Sequence, residues 1–391
     1  MISISKLWCG QDFKYNSLRY GIGVQQKDGS SRKPVVVWNT TQSCNLNCIH
    51  CYSKSTSKHY QGELSTDEGK KLIDNLAEFK IPAILFSGGE PLLRKDIFEL
   101  IEYAGLKGLS TVLSTNGTLI DTKVAEQLKR INLSYVGISL DGIGRMNDEF
   151  RGSPGAFEKA KNAFKYCGEA GLTVGLRLTL TSRNYEFLPE IFNFLEENNI
   201  PRACFYHLAY SGRGEDIAKL DLSKEQTRKV IDLIIEKVED YKKRRIKKDV
   251  LTVANHVDGV YLYLKLLKKD SKQAEDVFKL LSWNGGGRYS EGVGIACVDF
   301  SGEVHPSQFW MDYSFGNVKK RPFSEIWPDD SDSLHKKLRD RLAFLKGRCA
   351  KCKFIELCGG SLRGRAKARF NDVWMEDPGC YLTDEEIGII Q

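Results

Sequence analysis

Three cysteines lie close together near the start of the chain. The stretch TQSCNLNCIHCYSK (residues 41–54) places three thiols within eight residues: Cys44, Cys48 and Cys51. A 4Fe–4S cluster normally takes four thiolates, so a loop with three would leave one iron open to a small molecule that binds through oxygen and nitrogen. The spacing alone also permits a zinc site that takes His50 or His59 as its fourth ligand.

A second group of cysteines lies near the end of the chain. Its four members follow a Cys-x2-Cys-x5-Cys pattern with one more cysteine after 21 further residues: Cys349, Cys352, Cys358 and Cys380. Four thiolates make a closed site, which suits either structural zinc or a 4Fe–4S cluster. Clustered thiols in a chain with an odd total of 11 cysteines indicate metal binding rather than disulfides.

The composition is that of an ordinary globular protein. The chain has 391 residues, of which 41% are hydrophobic and 28% charged, which predicts two or three domains. Its apolar runs are strand-sized and no leader precedes them, so we expect a cytoplasmic protein without membrane insertion. The net charge of +7 is modest, and the run KKRRIKKD (242–249) is interpreted as a solvated helix end, so no nucleic acid is expected as a partner.

The cysteine loop follows the first of several short apolar runs that alternate with amphipathic helical stretches. Strands are expected at 33–41, 82–89, 109–116, 133–141, 173–181 and 203–210. Six β-then-α units predict a parallel sheet with right-handed crossovers, an α/β fold that forms a partial (β/α)6 barrel. Sites in such folds lie at the carboxyl ends of the strands. The segments SGGEP, STNG and SLDG end the second, third and fourth strands.

The rest of the chain divides into further regions. We expect an N-terminal extension at 1–32, the partial-barrel core at 33–214, a helical linker region at 215–282 and a C-terminal α+β domain at 283–391. The last region contains a glycine-rich turn, a hairpin with Gly302 at its turn, and the second cysteine group.

The ordered set of Cys-x3-Cys-x2-Cys-Tyr, SGGEP, STNG and ISLDG resembles the radical S-adenosylmethionine (SAM) superfamily over roughly residues 33–210. The resemblance implies that the three-cysteine loop holds a 4Fe–4S cluster whose open iron binds SAM, and that Tyr52 flanks the cluster. It also implies a set of SAM contacts: Gly88, Gly89, Glu90, Asn116, Ser139 and Arg151. In the family the SGGEP segment binds the methionyl amino group, and the counterparts of Ser139 and Arg151 bind the methionyl carboxylate. An arginine fork suits that carboxylate, and glycines let backbone approach a ligand.

The chemistry that the resemblance implies is radical chemistry. A reduced cluster passes one electron to the sulfonium, and the resulting 5′-deoxyadenosyl radical abstracts a hydrogen from an unactivated carbon. Such an enzyme needs an electron donor such as ferredoxin or flavodoxin.

The second cysteine group, with GNVKKRPFSEIW (316–327) before it, resembles the C-terminal extension known as SPASM. This implies one auxiliary 4Fe–4S cluster. The sequence departs from the full extension, because Ser307 and Leu362 stand where cysteines of a further cluster are expected. Two clusters in total are therefore expected. Four other cysteines are expected to be buried or incidental: Cys9, Cys167, Cys204 and Cys297.

The segments IACVDFSGEVHPSQFW and CGGSLRGRAKARFNDVWMEDPGCYL resemble the haem-biosynthesis branch of the superfamily, which acts on iron tetrapyrroles. The member most similar removes two acetate side chains from 12,18-didecarboxysirohaem to give iron-coproporphyrin III. Other members cleave propionates on the way to the nitrite-reductase haem, or convert coproporphyrin propionates to vinyls. A peptide-modifying SPASM enzyme, and an iron–sulfur carrier or zinc-bound module without radical chemistry, are the rival hypotheses.

A flat apolar ring with peripheral carboxylates needs basic anchors and aromatic walls. The catalytic candidates are His305, Arg363 and Arg365, of which His305 would bind the substrate iron or donate to a carboxylate. Additional basic and aromatic candidates are Lys367, Arg369, Trp310, Tyr313 and Trp374.

Overall fold

The computed structural model describes residues 1–12 and 33–389. Within that part of the chain, strands form one sheet in the order β1-β8-β7-β6-β5-β4-β3-β2-β9-β10. Their bounds are β1 Ile2–Ser3, β2 Val35–Asn39, β3 Ala83–Ser87, β4 Ser110–Thr115, β5 Tyr135–Ser139, β6 Val174–Leu180, β7 Arg202–His207, β8 Asp249–Val253, β9 Ile295–Val298 and β10 Val304–His305.

Strands β2 to β7 confirm the six predicted strands. Each pairs in parallel with the next one along the chain. The outermost strands β1 and β10 are paired on one side and the sheet does not close, which confirms the partial barrel. The carboxyl ends of these strands therefore meet at one edge of the sheet, hereafter the carboxyl edge.

The sheet extends beyond the predicted strands on both sides. Strand β8 lies inside the region expected to be helical and pairs in parallel with β7. The sequence did not predict this strand because charged residues lie at its start. Asp249 is buried 3.5 Å from Arg202, and the ammonium of the preceding Lys248 donates to the carbonyls of Leu195 and Ile200. Only the first part of the run 242–249 is a solvated helix end, and the prediction was wrong for its last two residues.

The two ends of the described chain complete the sheet. Strand β1 pairs antiparallel with β8, so the first residues of the expected N-terminal extension belong to the sheet, while residues 13–32 lie outside the described part. Strand β9 pairs in parallel with β2, and β10 returns antiparallel beside it after a turn at Gly302, as expected of the hairpin. The C-terminal region is thus joined to the barrel through backbone hydrogen bonds.

Helices cover the outer face of the sheet. Their bounds are Ile4–Cys9, Thr66–Glu78, Ile97–Leu106, Thr122–Arg130, Arg145–Arg151, Ala156–Glu169, Leu188–Glu197, Arg213–Asp216, Lys224–Lys243, Val257–Lys269, Ser271–Asn284, Phe323–Ile326, Ser333–Arg339, Gly347–Ala350, Ile355–Cys358, Arg363–Phe370 and Asp384–Ile387. The second of them begins with a capping box between Ser65 and Glu68. None of the helices in the described ranges is both long and apolar enough to cross a membrane.

Candidate active site

The three-cysteine loop leaves the carboxyl end of β2 and is fixed to the helix Arg145–Arg151. The amide of Asn47 donates to the Arg151 carbonyl at 3.2 Å, and the amide of Ile49 donates to the Phe150 carbonyl at 2.9 Å. The Cys44 amide donates to the Thr56 carbonyl at 2.8 Å, which closes the loop on itself. These bonds place the three sulfurs at the carboxyl edge.

The environment of these sulfurs fits an iron–sulfur cluster. Cys44 and Cys48 are buried, and burial raises the pKa of Cys44 to about 12. Burial also raises the pKa of Cys48, although Arg151 opposes the change with an Nη1 that lies 3.7 Å from the Cys48 sulfur. Desolvated thiolates require positive charge beside them, which bound iron supplies. The donor set therefore fits the implied group.

The glycines of SGGEP make a close backbone contact, but with the cysteine loop. A Cβ on Gly88 would lie 2.4 Å from the Thr41 carbonyl oxygen, and one on Gly89 would lie 2.1 Å from that of Ser43. The Gly89 amide donates to the Thr41 carbonyl at 2.8 Å. Only residues without side chains let the turn after β3 support the loop in this way.

Glu90 connects the SGGEP and STNG segments. Its buried carboxylate accepts hydrogen bonds from the Asn116 amide and the Thr115 hydroxyl, both at 2.8 Å. Burial raises the pKa of Glu90 to about 7. Asn116 in turn donates to Asn45 at 2.9 Å, and its Nδ2 lies 3.9 Å from the Cys44 sulfur. Glu90 thus positions a predicted SAM contact against the cysteine loop.

Asp141, in the SLDG segment, was missed in the sequence analysis. It is fully buried, and its Oδ2 lies 2.6 Å from an Arg151 nitrogen and 3.2 Å from His50 Nε2. The same carboxylate accepts from the Thr179 amide at 2.7 Å, which fixes it to β6. Ser139, the last residue of β5, pairs with Arg177 of β6, and Ser139 is partly exposed. The sequence contained a sign of the role of Asp141, because a carboxylate in a motif at the end of a buried strand needs a polar partner.

Tyr52 reaches from the loop onto the sheet. Its hydroxyl donates to Asn39 and contacts the Ser87 hydroxyl, both at 3.0 Å. Its ring packs edge-to-face on Phe309 at 5.5 Å between centroids. The residue that follows the third cysteine thereby joins the loop, the sheet and the C-terminal region.

The second cysteine group surrounds a pocket. All four cysteines line the pocket together with apolar side chains that include Val257, Val260, Phe354 and Ile355. Burial raises the pKa of Cys349 to about 11 and also raises the pKa of Cys358. Within the described ranges, no set of three or more His, Cys, Asp or Glu side chains is arranged to hold a single metal ion.

A buried carboxylate lies between the two positions at which the full extension has cysteines. Glu291 accepts from the Ser307 hydroxyl at 3.2 Å and from the Arg363 amide, the residue after Leu362, at 2.6 Å. Arg341 is fully buried and donates to the Glu291 carbonyl. Glu291, Ser307, Arg341 and the Arg363 amide thus bind one another where the full extension has cysteines.

The structure does not bring the two catalytic arginine candidates to the carboxyl edge as free cations. Arg365 forms two hydrogen bonds with Asp377, at 2.6 and 2.8 Å, and donates to the carbonyls of Leu208 and Ala254. Arg363 donates to backbone carbonyls of the tail and is fully buried. Arg365 thereby attaches the tail to the barrel, whereas Arg363 connects parts of the tail to one another, and its buried Nε has no hydrogen-bond partner among the described residues.

Most of the other substrate candidates contact groups of the protein itself. His305 is buried opposite Cys297 of β9, with Nδ1 2.7 Å from the Tyr313 carbonyl and Nε2 3.4 Å from Asp299. Cys297 is fully buried, as expected. Trp310 is buried, the Tyr313 hydroxyl donates to Asp332, and the Trp374 ring contacts that of Phe344 at a tilted angle. Lys367 pairs with Asp312, and Arg369 is exposed.

Two family models match the chain. The model of the radical SAM superfamily matches residues 38–195, and that of an iron–sulfur cluster-binding domain, SPASM, matches residues 291–353. The second match includes Cys349 and Cys352, while the last two cysteines of the group follow it.

Curated relatives match over most of their length. The chain is 51% identical to Fe-coproporphyrin III synthase of Methanosarcina barkeri, over 99% of each protein. It is 40% identical to pre-heme d1 synthase of Dinoroseobacter shibae, over 91% of this chain and 88% of that one. An AdoMet-dependent heme synthase of Nitratidesulfovibrio vulgaris is 31% identical over 90% and 94% of the two chains.

Solved structures share the fold at low identity. SuiB of Streptococcus suis bound to S-adenosylmethionine superposes with a TM-score of 0.69 at 16% identity, over 90% of this chain and 78% of that one. Native anSMEcpe with bound AdoMet and a peptide gives 0.68 at 20% identity, over 91% and 96%. These likenesses concern the fold alone.

Proposed function

The chain belongs to the haem-biosynthesis branch of the radical SAM superfamily and has a SPASM extension, and on that premise we propose that it removes two acetate side chains from 12,18-didecarboxysirohaem to give iron-coproporphyrin III. It is an enzyme that acts on a tetrapyrrole, with SAM and iron–sulfur clusters as its cofactors. The precursor and the bond that is cleaved are the proposed part.

One observation carries the choice of reaction within the branch. The relative named Fe-coproporphyrin III synthase is 51% identical over 99% of both chains, whereas the relative named pre-heme d1 synthase is 40% identical and the heme synthase 31%. Since the first name states a product, it supports iron-coproporphyrin III as the product here. The precursor follows from the sequence resemblance.

The chain's own residues account for cofactor binding. We propose that the cysteine loop holds the SAM-binding cluster and that the second cysteine group holds the auxiliary cluster. When bound, these groups and SAM supply a 5′-deoxyadenosyl radical that abstracts hydrogen, and a path for single electrons.

The polar groups at the carboxyl edge would orient SAM. Arg151 has its guanidinium fixed by Asp141, and its buried Nε has no hydrogen-bond partner within the described ranges, so it remains a donor for the methionyl carboxylate. Asn116, positioned by Glu90, and Ser139 at the end of β5 lie at the same edge. The buried loop and the Tyr52–Phe309 contact would exclude water from the reacting carbon.

The location and the electron donor are proposals as well. We expect a cytoplasmic enzyme that receives electrons from a protein of the ferredoxin or flavodoxin class. Reduction of the holoenzyme by such a donor, measured as loss of cluster absorbance under anaerobic conditions, would test this part.

The test of the proposed reaction is anaerobic turnover of 12,18-didecarboxysirohaem with product masses measured. Loss of two acetate groups supports deacetylation. Loss of propionate carbons instead would move the chain to the pre-haem d1 reaction, and absence of 5′-deoxyadenosine with every tetrapyrrole tried would refute both.

A further inference from the structure

Arg177 projects from the middle of the sheet toward the inner face, the face that the helices do not cover. Its strand alternates: Leu176, Leu178 and Leu180 are buried toward the helices, so the odd-numbered side chains point the other way. Arg177 is only partly buried although its strand is flanked by β5 and β7. Its exposed part therefore faces the interior of the partial barrel.

The guanidinium is held in place over β5. Its Nη1 donates to the Ser114 hydroxyl of β4 at 2.6 Å. A Cβ on Gly137 would lie 2.2 Å from Arg177 Nε, so the glycine provides the space in which the guanidinium lies. The group also stands over the Tyr135 ring at 5.9 Å. The side chain is thus fixed rather than extended into solvent.

Among the residues that the structure describes, no carboxylate pairs with this charge. Arg202 stands over the same Tyr135 ring at 5.1 Å and is paired with Asp249 at 3.5 Å. Arg177 has no ion pair within the described ranges, and its Nε has no hydrogen-bond partner there. Burial lowers the pKa of Arg177, whereas Tyr206, Tyr135 and Cys204 raise it, and the net shift is upward. A desolvated cation without a counter-ion is costly, which suggests that an anionic ligand completes it.

This cation lies beside the SAM-binding edge but deeper in the barrel. Ser114 lies in β4, two residues before Asn116, which directly follows the strand, a separation of roughly 7 Å in extended backbone. Ser87, whose hydroxyl contacts Tyr52, lies on the neighbouring strand β3. Arg151 at the edge already has Asp141 as a partner, so the two arginines are placed to bind different groups.

We infer that Arg177 and Ser114 form a carboxylate subsite on the inner face, which binds a peripheral carboxylate of the tetrapyrrole and thereby orients the ring below SAM. A planar guanidinium fixed at one nitrogen presents its remaining N–H groups in a geometry that matches a carboxylate. The identity of the substrate rests on the proposed function. The methionyl carboxylate of SAM has the same chemistry, and the test separates the two sources.

The test compares Arg177→Gln and Arg177→Lys with a control, Arg183→Gln. Arg183 also lies over an aromatic ring, Phe150 at 5.4 Å, but it is exposed and pairs with Glu149. Reconstituted holoenzymes are titrated with iron-coproporphyrin III by absorbance, and with SAM by equilibrium dialysis. Removing a charge-assisted hydrogen bond should weaken porphyrin binding about 10- to 100-fold in the glutamine variant, less in the lysine variant. SAM binding should stay within about threefold, as should both affinities of the control.

Titration with the tetramethyl ester of iron-coproporphyrin III excludes a merely structural effect. If the subsite binds a carboxylate, the wild type should lose more affinity on esterification than Arg177→Gln does, because the variant has already lost that interaction. An equal loss in both, an unchanged porphyrin affinity in the variant, or a selective loss of SAM affinity would each overturn the inference.

The subsite and the proposed function fail separately. If the wild type deacetylates its substrate and Arg177→Gln binds the porphyrin normally, the subsite is wrong and the function stands. If the wild type binds the porphyrin through Arg177 but does not remove acetates, the function is wrong and the subsite stands. A wild type that binds no tetrapyrrole contradicts both.

Discussion

Asp141 and Arg151 form a buried ion pair, with a carboxylate oxygen 2.6 Å from a guanidinium nitrogen whose neighbour lies 3.7 Å from the Cys48 sulfur. Asp141 lies two residues after the end of β5, and Arg151 is the last residue of the helix Arg145–Arg151. The pair therefore connects the sheet, the helix and the cysteine loop. A guanidinium fixed on one side by a carboxylate can bind a second carboxylate on another side without reorganising. This relationship supports the proposed role of Arg151 in binding SAM.

Asp141→Asn should therefore impair SAM binding and stability together. Removing one partner of a buried ion pair leaves Arg151 uncompensated, at a cost of about 3–5 kcal/mol in the free energy of unfolding. Formation of 5′-deoxyadenosine by the reduced holoenzyme should fall at least tenfold, the equivalent of ~1.4 kcal/mol in transition-state stabilisation. Glu149→Gln, which removes exposed pairs with Arg145 on the same helix and with Arg183, should change neither quantity noticeably.

The glycines after β3 provide a second prediction. Gly89→Ala should prevent the loop from closing, because its Cβ would lie 2.1 Å from the Ser43 carbonyl oxygen. We expect the purified variant to retain the auxiliary cluster and to lose most of the iron and absorbance of the first cluster. Gly105→Ala is the matched control, since its Cβ would meet nothing within 4 Å inside the helix Ile97–Leu106. That change should keep both clusters and stabilise the helix by about 0.5–1 kcal/mol; equal iron contents in the two variants would show that the loop tolerates the added carbon.

Because His335 is buried in its neutral form, we expect the free energy of unfolding to fall in mild acid. Its ring stacks on Phe315 at 4.0 Å and contacts Trp327, and burial lowers its pKa from 6.5 to about 4. The folded protein therefore favours the neutral ring, so stability present above pH 6.5 is lost as the pH falls toward 4. The shift corresponds to at most about 3 kcal/mol.

Urea unfolding of the holoenzyme at several pH values measures this dependence. His335→Gln should unfold at lower urea throughout, because the stacking on Phe315 is lost, but its stability should depend less steeply on pH between 6.5 and 4. His59→Gln, at an exposed position, should keep the wild-type slope. If His335→Gln kept that slope as well, the acid sensitivity would have another origin.

Substitutions of Arg365 and Lys367 compare a buried structural arginine with a surface lysine in the same segment. Arg365→Gln breaks a buried pair with Asp377 and should destabilise the protein by about 3–5 kcal/mol, with loss of iron from the auxiliary cluster. Lys367→Gln removes an exposed contact with Asp312 and should cost less than about 1 kcal/mol. If Arg365→Gln instead raised only the KM for the tetrapyrrole, the arginine would be a substrate anchor as the sequence first suggested.

The sequence predicted the fold where short apolar runs alternate with amphipathic helical stretches. Strands β2 to β7 were predicted in this way, although β6 and β7 each include an arginine, and the motifs at the strand ends indicated the site. Strand β8 was missed because Lys248 and Asp249 are charged, and only tertiary partners make their burial possible.

The same limit applies to the site residues. Arg363 and Arg365 looked like solvated anchors because the carbonyls and the Asp377 carboxylate that bind them come from other parts of the chain. Arg177 was missed for the converse reason, since a single arginine in a strand gives no sign of facing the barrel interior. Side-chain direction and partner choice depend on which elements pack together, which local patterns do not specify.

The central claim is tested most directly by the stoichiometry of one reaction. The reduced holoenzyme is mixed anaerobically with 12,18-didecarboxysirohaem and excess SAM, and the product mass is measured together with 5′-deoxyadenosine. The account predicts iron-coproporphyrin III, with both acetates lost and two molecules of 5′-deoxyadenosine formed for each product. A product that has lost propionate carbons while retaining its acetates, or an unaltered tetrapyrrole, would contradict it.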